Sequence, residues 1–209
     1  MKGLFITFEG IEGCGKTTQI QRLHDYLRGS GHTVEVTREP GGTPIAETIR
    51  EVLLDPGNHA LAPMTELLLY EAARAQHVAE RIRPALESGA VVLCDRFADS
   101  TTAYQGAGRS LSPEDVQRLH QLATQGVWPD LTFLIDLPVE TGLDRVSLRG
   151  TADRMESETL AFHERVRQGF LELARREPRR ITIIDGTQTV EAVAEAIRIQ
   201  VDAFLKRGR

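Results

Sequence analysis

The feature that most constrains this chain is the segment GIEGCGKT at residues 10–17. It follows an apolar, strand-like run at residues 4–8 and precedes a helix-like stretch that begins at Thr18. A G-x-x-x-x-G-K-[ST] loop in this context wraps backbone N–H groups around an anion, because glycines leave room and the helix N-terminus is partly positive. The alternative is a glycine-rich turn that matches by chance. The segment predicts a nucleoside triphosphate site formed by Gly10, Ile11, Glu12, Gly13, Cys14, Gly15, Lys16 and Thr17.

Lysine occurs at very few positions. Of 25 lysines and arginines, only Lys2, Lys16 and Lys206 are lysines, so the one lysine away from both ends lies in the loop. A general preference for arginine accounts for the surface but not for this position, where a compact ammonium suits a phosphate. We therefore expect Lys16 to reach the β- and γ-phosphates, and the Thr17 hydroxyl to ligate Mg²⁺.

The bulk composition limits the class of protein. A chain of 209 residues with 41% hydrophobic and 26% charged residues predicts one soluble globular domain, residues 1–209. The net charge of −5 argues against a general nucleic-acid binder. No apolar run approaches a membrane span of ~20 residues, and MKGLFITFEG is interpreted as a strand entering a loop, not a cleavable signal. Two cysteines, Cys14 and Cys94, form no zinc pattern, so we expect reduced thiols and a cytoplasmic protein.

Apolar runs alternate with helix-like stretches along the chain. The runs lie at residues 4–8, 33–37, 90–94, 131–137 and 181–184. Helices are predicted near residues 17–29, 44–54, 64–88, 113–125, 139–148, 157–176 and 189–206. Because several runs are apolar throughout, we predict a five-stranded parallel α/β sheet with helices on both faces and ligands at the strands' carboxyl ends. The polar, arginine-bearing stretch 145–156 is predicted to be a small mobile lid.

Two further segments follow predicted strands and narrow the chemistry. Residues 37–43 read TREPGGT, residues 95–109 read DRFADSTTAYQGAGR, and the helix between them carries LYEAAR at residues 69–74. With the lid arginines, these segments resemble thymidylate kinase, the ATP:dTMP phosphotransferase, over about residues 4–205. The resemblance implies a P-loop nucleoside monophosphate kinase that uses ATP and Mg²⁺ to phosphorylate dTMP to dTDP, a step in dTTP biosynthesis. It also implies a homodimer, for which the helices at 64–88 and 113–125 are candidate interfaces.

The resemblance assigns roles to two residues that follow the third strand. Asp95 is expected to hold Mg²⁺ directly or through water, and the alternative is a carboxylate that caps its own loop. Arg96 is expected to grip the dTMP phosphate with its planar fork. A structural ion pair between Arg96 and either Asp95 or Asp99 is the alternative.

Recognition of the thymine base is assigned first to two residues on a predicted helix. Tyr70 and Arg74 lie four residues apart and so share one helix face. The resemblance implies that Tyr70 stacks on thymine, where phenylalanine is commoner, and that Arg74 donates to a base carbonyl; core packing is the alternative for Tyr70. Thr101 is implied to contact the base edge, with a plain helix-surface position as its alternative. Further implied acceptor contacts come from Gln105 (base edge), Tyr104 (sugar 2′ position), Glu12 (3′-hydroxyl), Glu39 and Arg50.

Charge on the transferred phosphoryl group calls for arginine, and the family offers two sources. One branch carries an arginine where this chain has Gly13, whereas the bacterial-type branch supplies arginines from the lid. Arg145, Arg149 and Arg154 therefore favour the bacterial-type branch. Ser147 stands where an arginine can occur, so the number of acting lid arginines stays open, with a charged helix end as the alternative for each. The predicted catalytic residues are Lys16, Arg96, Arg149 and Arg154.

Three other functions compete with this interpretation. Another nucleoside or nucleotide kinase fits the loop but not the TREPGG and DRFADS segments. A regulatory GTPase needs an N-K-x-D tetrad, which is excluded because no lysine lies between residues 16 and 206. A non-catalytic nucleotide-binding protein would be expected to lack part of the set Lys16, Thr17, Asp95 and the lid arginines. The histidines, at residues 24, 32, 59, 77, 120 and 163, form no metal pattern and are expected to be surface or core residues.

Overall fold

The structure is a computed structural model that describes residues 3–148 and 153–206. Within these ranges, five parallel strands form one sheet in the order β2-β3-β1-β4-β5. The predicted five-stranded parallel α/β sheet is therefore confirmed. The strands are β1 (Leu4–Glu9), β2 (Val34–Arg38), β3 (Val91–Asp95), β4 (Leu131–Asp136) and β5 (Ile181–Asp185).

Helices surround this sheet. They are α1 (Lys16–Gly29), α2 (Pro44–Leu54), α3 (Pro63–His77), α4 (Arg83–Glu87), α5 (Ala98–Thr101), α6 (Pro113–Thr124), α7 (Val139–Ser147), α8 (Leu160–Arg176) and α9 (Val190–Lys206). Wider, π-type segments, Val78–Ile82 and Thr102–Gly108, follow α3 and α5. No helix in the described part of the chain is long and apolar enough to cross a membrane.

Both faces of the sheet are buried, which explains the continuous apolar runs. On β1, Leu4, Ile6 and Phe8 belong to one core cluster, together with residues of α1, α8 and α9. Phe5 belongs to a second cluster with Val78, because successive side chains of a strand point to opposite faces. The edge strands β2 and β5 are less buried than the three central strands.

The predicted helix 64–88 is wrong in one detail, because the π-type segment Val78–Ile82 interrupts it. Pro84 follows directly in α4. A proline has no N–H to donate, and its ring crowds the carbonyl four residues earlier. A locally wider turn relieves this crowding and keeps the chain helical up to the end of α4.

The segment 98–108, for which the sequence predicts no helix, is helical through α5 and Thr102–Gly108. Its threonines, serine and glycines have weak intrinsic helix propensity, so tertiary packing decides its conformation. A Cβ built on Gly108 would lie 2.7 Å from the Phe162 ring, and one on Gly169 would lie 2.8 Å from the Ala107 Cβ. These glycines therefore let the segment pack closely on α8.

The predicted lid, residues 145–156, is described only in part. Its first residues complete α7, and residues 149–152 lie outside the described ranges. After that gap, the Asp153 carboxylate accepts hydrogen bonds from the backbone N–H groups of Met155 and Glu156, at 2.8 and 2.9 Å. This turn leads to α8, where the Thr159 hydroxyl caps the first turn.

The sheet order determines where the ligand cleft lies. Strand β1 pairs with β3 on one side and β4 on the other, so the strand order reverses at β1. Ligands of doubly wound sheets bind at the carboxyl end of the strands at such a reversal. The loop that follows β1 occupies this place.

Candidate active site

The loop between β1 and α1 has a backbone that depends on glycine. Gly10, Gly13 and Gly15 have φ angles of 135°, 70° and 95°, which other residues rarely adopt. The Lys16 ammonium lies over this loop and donates to the carbonyl oxygens of Gly10 and Ile11, at 3.2 and 3.0 Å. The lysine side chain is therefore held beside the curled backbone at the start of α1.

Helix α7 packs directly on this loop through a pair of glycines. A Cβ built on Gly13 would clash with the Gly142 carbonyl group, and one built on Gly142 would lie 2.5 Å from the Glu12 carbonyl oxygen. Arg145, further along α7, donates to the Gly13 carbonyl oxygen at 3.3 Å. A side chain at position 13 therefore has no room unless α7 moves.

The two predicted metal ligands lie next to each other. The Thr17 hydroxyl donates to the Asp95 carboxylate at 3.1 Å, beside the end of the loop. A hydroxyl and a carboxylate are hard oxygen ligands, and Mg²⁺ in phosphate sites usually takes one or two protein oxygens and keeps several waters. The residues present therefore fit Mg²⁺.

Arg96 reaches from the end of β3 across to the loop. Its backbone φ of 72° is in the left-handed region, which is strained for a long side chain and turns the chain sharply after Asp95. The guanidinium donates to the Gly10 carbonyl oxygen at 2.9 Å and to the Glu12 carboxylate at 3.0 Å. Arg96 therefore pairs with Glu12 and with neither Asp95 nor Asp99, the two partners considered from the sequence.

Glu12 is held in its ionised form by these neighbours. One carboxylate oxygen accepts from Arg96 and also from the Tyr104 hydroxyl, at 2.5 Å. Burial alone would raise the pKa of Glu12, but the charge of Arg96 and the hydrogen bonds outweigh it and lower the pKa to about 2. Behind the other oxygen lies His163, fully buried, with Nδ1 at 3.5 Å.

A second carboxylate, that of Glu9 at the end of β1, binds the residues that follow Arg96. It is 1% exposed and accepts from the Phe97 backbone N–H at 2.7 Å and from the Ser100 hydroxyl at 2.5 Å. Burial and the nearby Asp99 raise its pKa to about 8, despite these hydrogen bonds and the Arg96 charge. Glu9 therefore fixes the position of the DRFADS segment relative to β1.

A cavity of about 260 Å³ extends from the loop along this wall. Besides the loop residues, Tyr70, Arg74, Phe97 and Thr101 line it. The Tyr70 side chain is half-buried and lies outside both core clusters, so it lines the cavity instead of packing in the core. Burial raises the pKa of the Tyr70 hydroxyl, which keeps it neutral. The cavity thus combines the loop and Lys16, whose N–H groups can bind phosphate, with a part lined by Tyr70, Arg74 and Phe97, which we call the slot.

A family model of thymidylate kinase matches residues 8–197. The chain belongs to the thymidylate kinase family. A thymidylate kinase from Geobacter sulfurreducens is 59% identical over 98% of each chain. Another, from Thermomicrobium roseum, is 54% identical over 98% of this chain and 97% of its own. The crystal structure of thymidylate kinase from Ehrlichia chaffeensis covers 96% of this chain and 100% of its own, with 35% sequence identity and a TM-score of 0.77.

Most residues predicted from the thymidylate kinase motifs line this one cavity. Of the loop residues, Ile11 and Cys14 instead pack in the core, each 3% exposed. Tyr104 does both: its hydroxyl faces Glu12, while its ring packs on Phe162 and Phe170. The predicted residues that line the cavity are Glu12, Gly13, Gly15, Lys16, Thr17, Glu39, Arg50, Tyr70, Arg74, Asp95, Arg96, Thr101, Tyr104 and Gln105.

Of the two lid arginines predicted to be catalytic, the structure describes one. Arg149 lies outside the described residues. The Arg154 guanidinium is 7% exposed and donates to the Glu66 carboxylate at 2.6 Å and to the Leu53 carbonyl oxygen at 2.7 Å. Arg154 does not line the cavity in this conformation. Its catalytic role stays a prediction, as does that of Arg149.

Sequence reasoning missed several residues that build the site from behind. Glu9 carries one available signal, since it is an acidic residue that ends an otherwise apolar strand. His77 and His120 are almost fully buried and touch the carboxylates of Glu39 and Glu71. No spacing in the sequence relates these pairs, because they lie 38 and 49 residues apart.

We predict a pH-dependent effect of Glu9→Gln on stability. The pKa of Glu9 rises from 4.5 in the unfolded chain to about 8 in the folded protein. The stability that the protonated Glu9 gives the folded state is therefore fully present below pH 4.5 and is lost as the pH rises through 8. Glutamine resembles the protonated carboxyl and removes this loss. The free energy of unfolding of Glu9→Gln relative to the parent should therefore increase between these values, by up to about 1.4 kcal/mol per pH unit.

Urea unfolding at several pH values between 5 and 8 measures this difference. Glu172→Gln is the matched control, because Glu172 lies on the exposed face of α8 and should change little with pH. A difference between Glu9→Gln and parent that stays constant or falls with pH contradicts the assignment.

Proposed function

We propose that this chain transfers the γ-phosphoryl group of ATP to the 5′-phosphate of dTMP, giving dTDP and ADP for dTTP synthesis. The observation that carries the proposal is the single cavity that joins the glycine loop with Lys16 to the slot at Tyr70 and Arg74. Membership of the thymidylate kinase family supports the same reaction. The chemistry forms a bond from an acceptor phosphate oxygen to the γ-phosphorus and breaks the bond to the β–γ bridging oxygen.

The donor end is assigned to the loop. Backbone N–H groups at residues 10–17 and the Lys16 ammonium bind the ATP phosphates, supported by the geometry of the loop. Thr17 and Asp95 are proposed to hold Mg²⁺, which when bound neutralises charge on the phosphates. The same loop presents Glu12 to the acceptor side, so donor and acceptor share one rigid backbone.

The acceptor end is assigned to the wall that follows β3. Arg96 is proposed to bind the dTMP phosphate, supported by its position between the loop and the cavity. That phosphate has a second pKa of about 6, so it is a nucleophile near neutral pH without a dedicated base. The proposed acceptor contacts, all supported by cavity lining, are Glu12, Glu39, Arg50, Tyr70, Arg74, Thr101, Tyr104 and Gln105.

The arginine that meets the transferred charge is proposed to come from the lid, as in the bacterial-type branch. The contact between Gly13 and Gly142 supports this, because it leaves no room for an arginine in the loop. The same contact holds α7, the helix that leads to Arg149, against the loop. Arg145 already reaches the loop backbone from α7.

A coupled assay of ADP release tests the reaction. With ATP, the chain is expected to show its highest kcat/KM for dTMP among dTMP, dCMP, dGMP and the ribonucleotide of thymine. Preference for deoxyribose is expected because Tyr104, which lines the cavity, is proposed to crowd the 2′ position of the sugar. ADP release that does not depend on a monophosphate, or that is faster with dCMP or dGMP, contradicts the proposal.

The lid arginines give a second prediction. Arg149→Ala should lower kcat by about 10³-fold, since an arginine supplied in this way is worth about 10³–10⁵ in phosphoryl transfer. Arg154→Ala should lower kcat and also the unfolding midpoint in urea, because it leaves Glu66 in a buried pair with one partner fewer. Arg175→Ala, on the exposed end of α8, is the control. If Arg149→Ala, Arg154→Ala and the double variant all keep normal kcat, the lid does not supply the catalytic arginine.

We further propose a homodimer of single-domain chains in the cytoplasm. Residues from both ends of the chain belong to the same core cluster, which supports one domain over residues 1–209. The buried free thiols Cys14 and Cys94 fit a reducing compartment. Met64 and Leu68 on α3, with Leu122 on the neighbouring α6, are 40%, 48% and 72% exposed, and support an interface on these helices.

Light scattering should give twice the chain mass for the parent protein. Leu68→Glu should shift this mass towards the monomer, because a charge would replace an apolar side chain in the interface. Ile199→Glu is a matched control, since Ile199 is 51% exposed on α9. A monomeric parent protein, or an unchanged mass in Leu68→Glu, contradicts this interface.

A further inference from the structure

The guanidinium of Arg74 is fixed on three sides. It is 2% exposed, and it donates from Nε to Glu39 at 2.8 Å, from one terminal nitrogen to Glu71 at 2.5 Å, and from the other to the Thr101 hydroxyl at 2.9 Å. The Phe97 ring lies against it, with its centroid at 5.2 Å. A guanidinium has five N–H donors, so two are not used by these three bonds, and Arg74 is among the residues that line the cavity.

Each of the two carboxylates is itself held by a buried histidine. His77 Nδ1 lies 2.9 Å from the second oxygen of Glu39, and His120 Nδ1 lies 2.9 Å from Glu71. The two histidines are 0% and 1% exposed. Burial raises the pKa of Glu71, but Arg74 and His120 outweigh it, so the carboxylate stays ionised.

Threonine hydroxyls hold the far nitrogen of each ring. Thr37 lies 2.6 Å from His77 Nε2, and Thr102 lies 2.9 Å from His120 Nε2. Of its two possible acceptors, the Thr102 hydroxyl is nearer to His120 Nε2, at 2.9 Å, than to the Ala98 carbonyl oxygen, at 3.3 Å. When each threonine donates to Nε2, the proton of the neutral ring is on Nδ1 and points at the carboxylate. The result is one hydrogen-bonded chain with Arg74 at its centre, and we call it the Arg74 relay; its members are Thr37, His77, Glu39, Arg74, Glu71, His120 and Thr102.

The relay joins parts of the fold that are far apart in sequence. Glu39 follows β2, Arg74 and His77 lie on α3, and His120 lies on α6. The turn after β2 leaves room for the relay, because a Cβ built on Gly42 would lie 2.5 Å from His77 Nε2. These connections fix the direction of the Arg74 guanidinium through groups on α3, on α6 and in the turn after β2.

We propose that His77 and His120 are positioning residues for recognition of the acceptor base. Each orients one of the carboxylates that hold Arg74, so that the two free N–H groups of Arg74 meet a base carbonyl. A base with an amino group at that place presents donors to donors and is rejected. This deepens the proposed function, and rests on it, by assigning base selection partly to two histidines that do not line the cavity.

Paired amide substitutions separate this role from simple packing. An asparagine places its side-chain N–H near the position of histidine Nδ1, whereas a glutamine places it near Nε2. His77→Asn can therefore keep the bond to Glu39, and His77→Gln keeps only the bond to Thr37. The same comparison applies to His120, with Glu71 and Thr102 as the partners.

Steady-state kinetics with purified variants test the proposal. We expect KM for dTMP to rise about tenfold in His77→Gln and in His120→Gln, and less than about threefold in the two asparagine variants. The ratio of kcat/KM for dTMP to that for dCMP should fall in the same order. KM for ATP should stay unchanged, because the relay does not touch the loop. His59→Asn, at an exposed site, is the control.

A purely structural role predicts a different result. Variants that lose thermal stability but keep the parent KM for dTMP and the parent selectivity overturn the proposal, as do equal effects of asparagine and glutamine. If the glutamine variants do not fold, Thr37→Val and Thr102→Val carry the test. Each removes the hydroxyl that donates to Nε2 and so keeps the ring proton on Nδ1, and each should therefore also raise KM for dTMP. Failure of the parent protein to phosphorylate dTMP would instead contradict the proposed function.

Discussion

The rest of the site depends on the position of β1 between β3 and β4. The register pairs Phe8 with Asp95, and the Arg96 backbone N–H donates to the Phe8 carbonyl oxygen at 3.0 Å. The loop after β1 and the segment after β3, which begins at Arg96, therefore leave the same edge of the sheet side by side. Donor and acceptor groups can share one cavity because two neighbouring parallel strands end together.

Buried charges on the cavity wall are arranged as paired groups. Arg96 is paired with Glu12, and Arg74 lies between Glu39 and Glu71. Burying an ion pair costs much of the Coulombic energy that it recovers, so apolar residues of similar volume would often serve stability as well. What the pairs provide is direction, since each guanidinium is held in one orientation. Three bonds of Arg74 leave two of its N–H groups unused, and four bonds of Arg96 leave its Nε–H. The wall therefore presents donors in fixed directions, which is what the proposed binding of an anion and a planar base requires.

Local sequence signals predicted the elements and most of the cavity lining, but not the support behind it. The loop residues and the strands were predictable because glycine conformation, apolar runs and strand-to-helix order are local properties. The π-type turn before Pro84 and the helix at 98–108 were missed, since crowding and packing on α8 decide them. Glu9 and His77 were missed as supporting residues because their partners lie 88 to 91 and 38 to 40 residues away.

The sequence by itself determined an α/β sheet, a phosphate-binding loop at 10–17 and membership of a kinase family, because these follow from short-range patterns of residue size, polarity and backbone freedom. Only the tertiary structure decided which charges meet. It paired Arg96 with Glu12, buried Arg154 against Glu66, and closed the space beside Gly13 with α7. An ion pair or a steric contact depends on distances of a few ångströms between residues remote in the chain, and no local pattern specifies those distances.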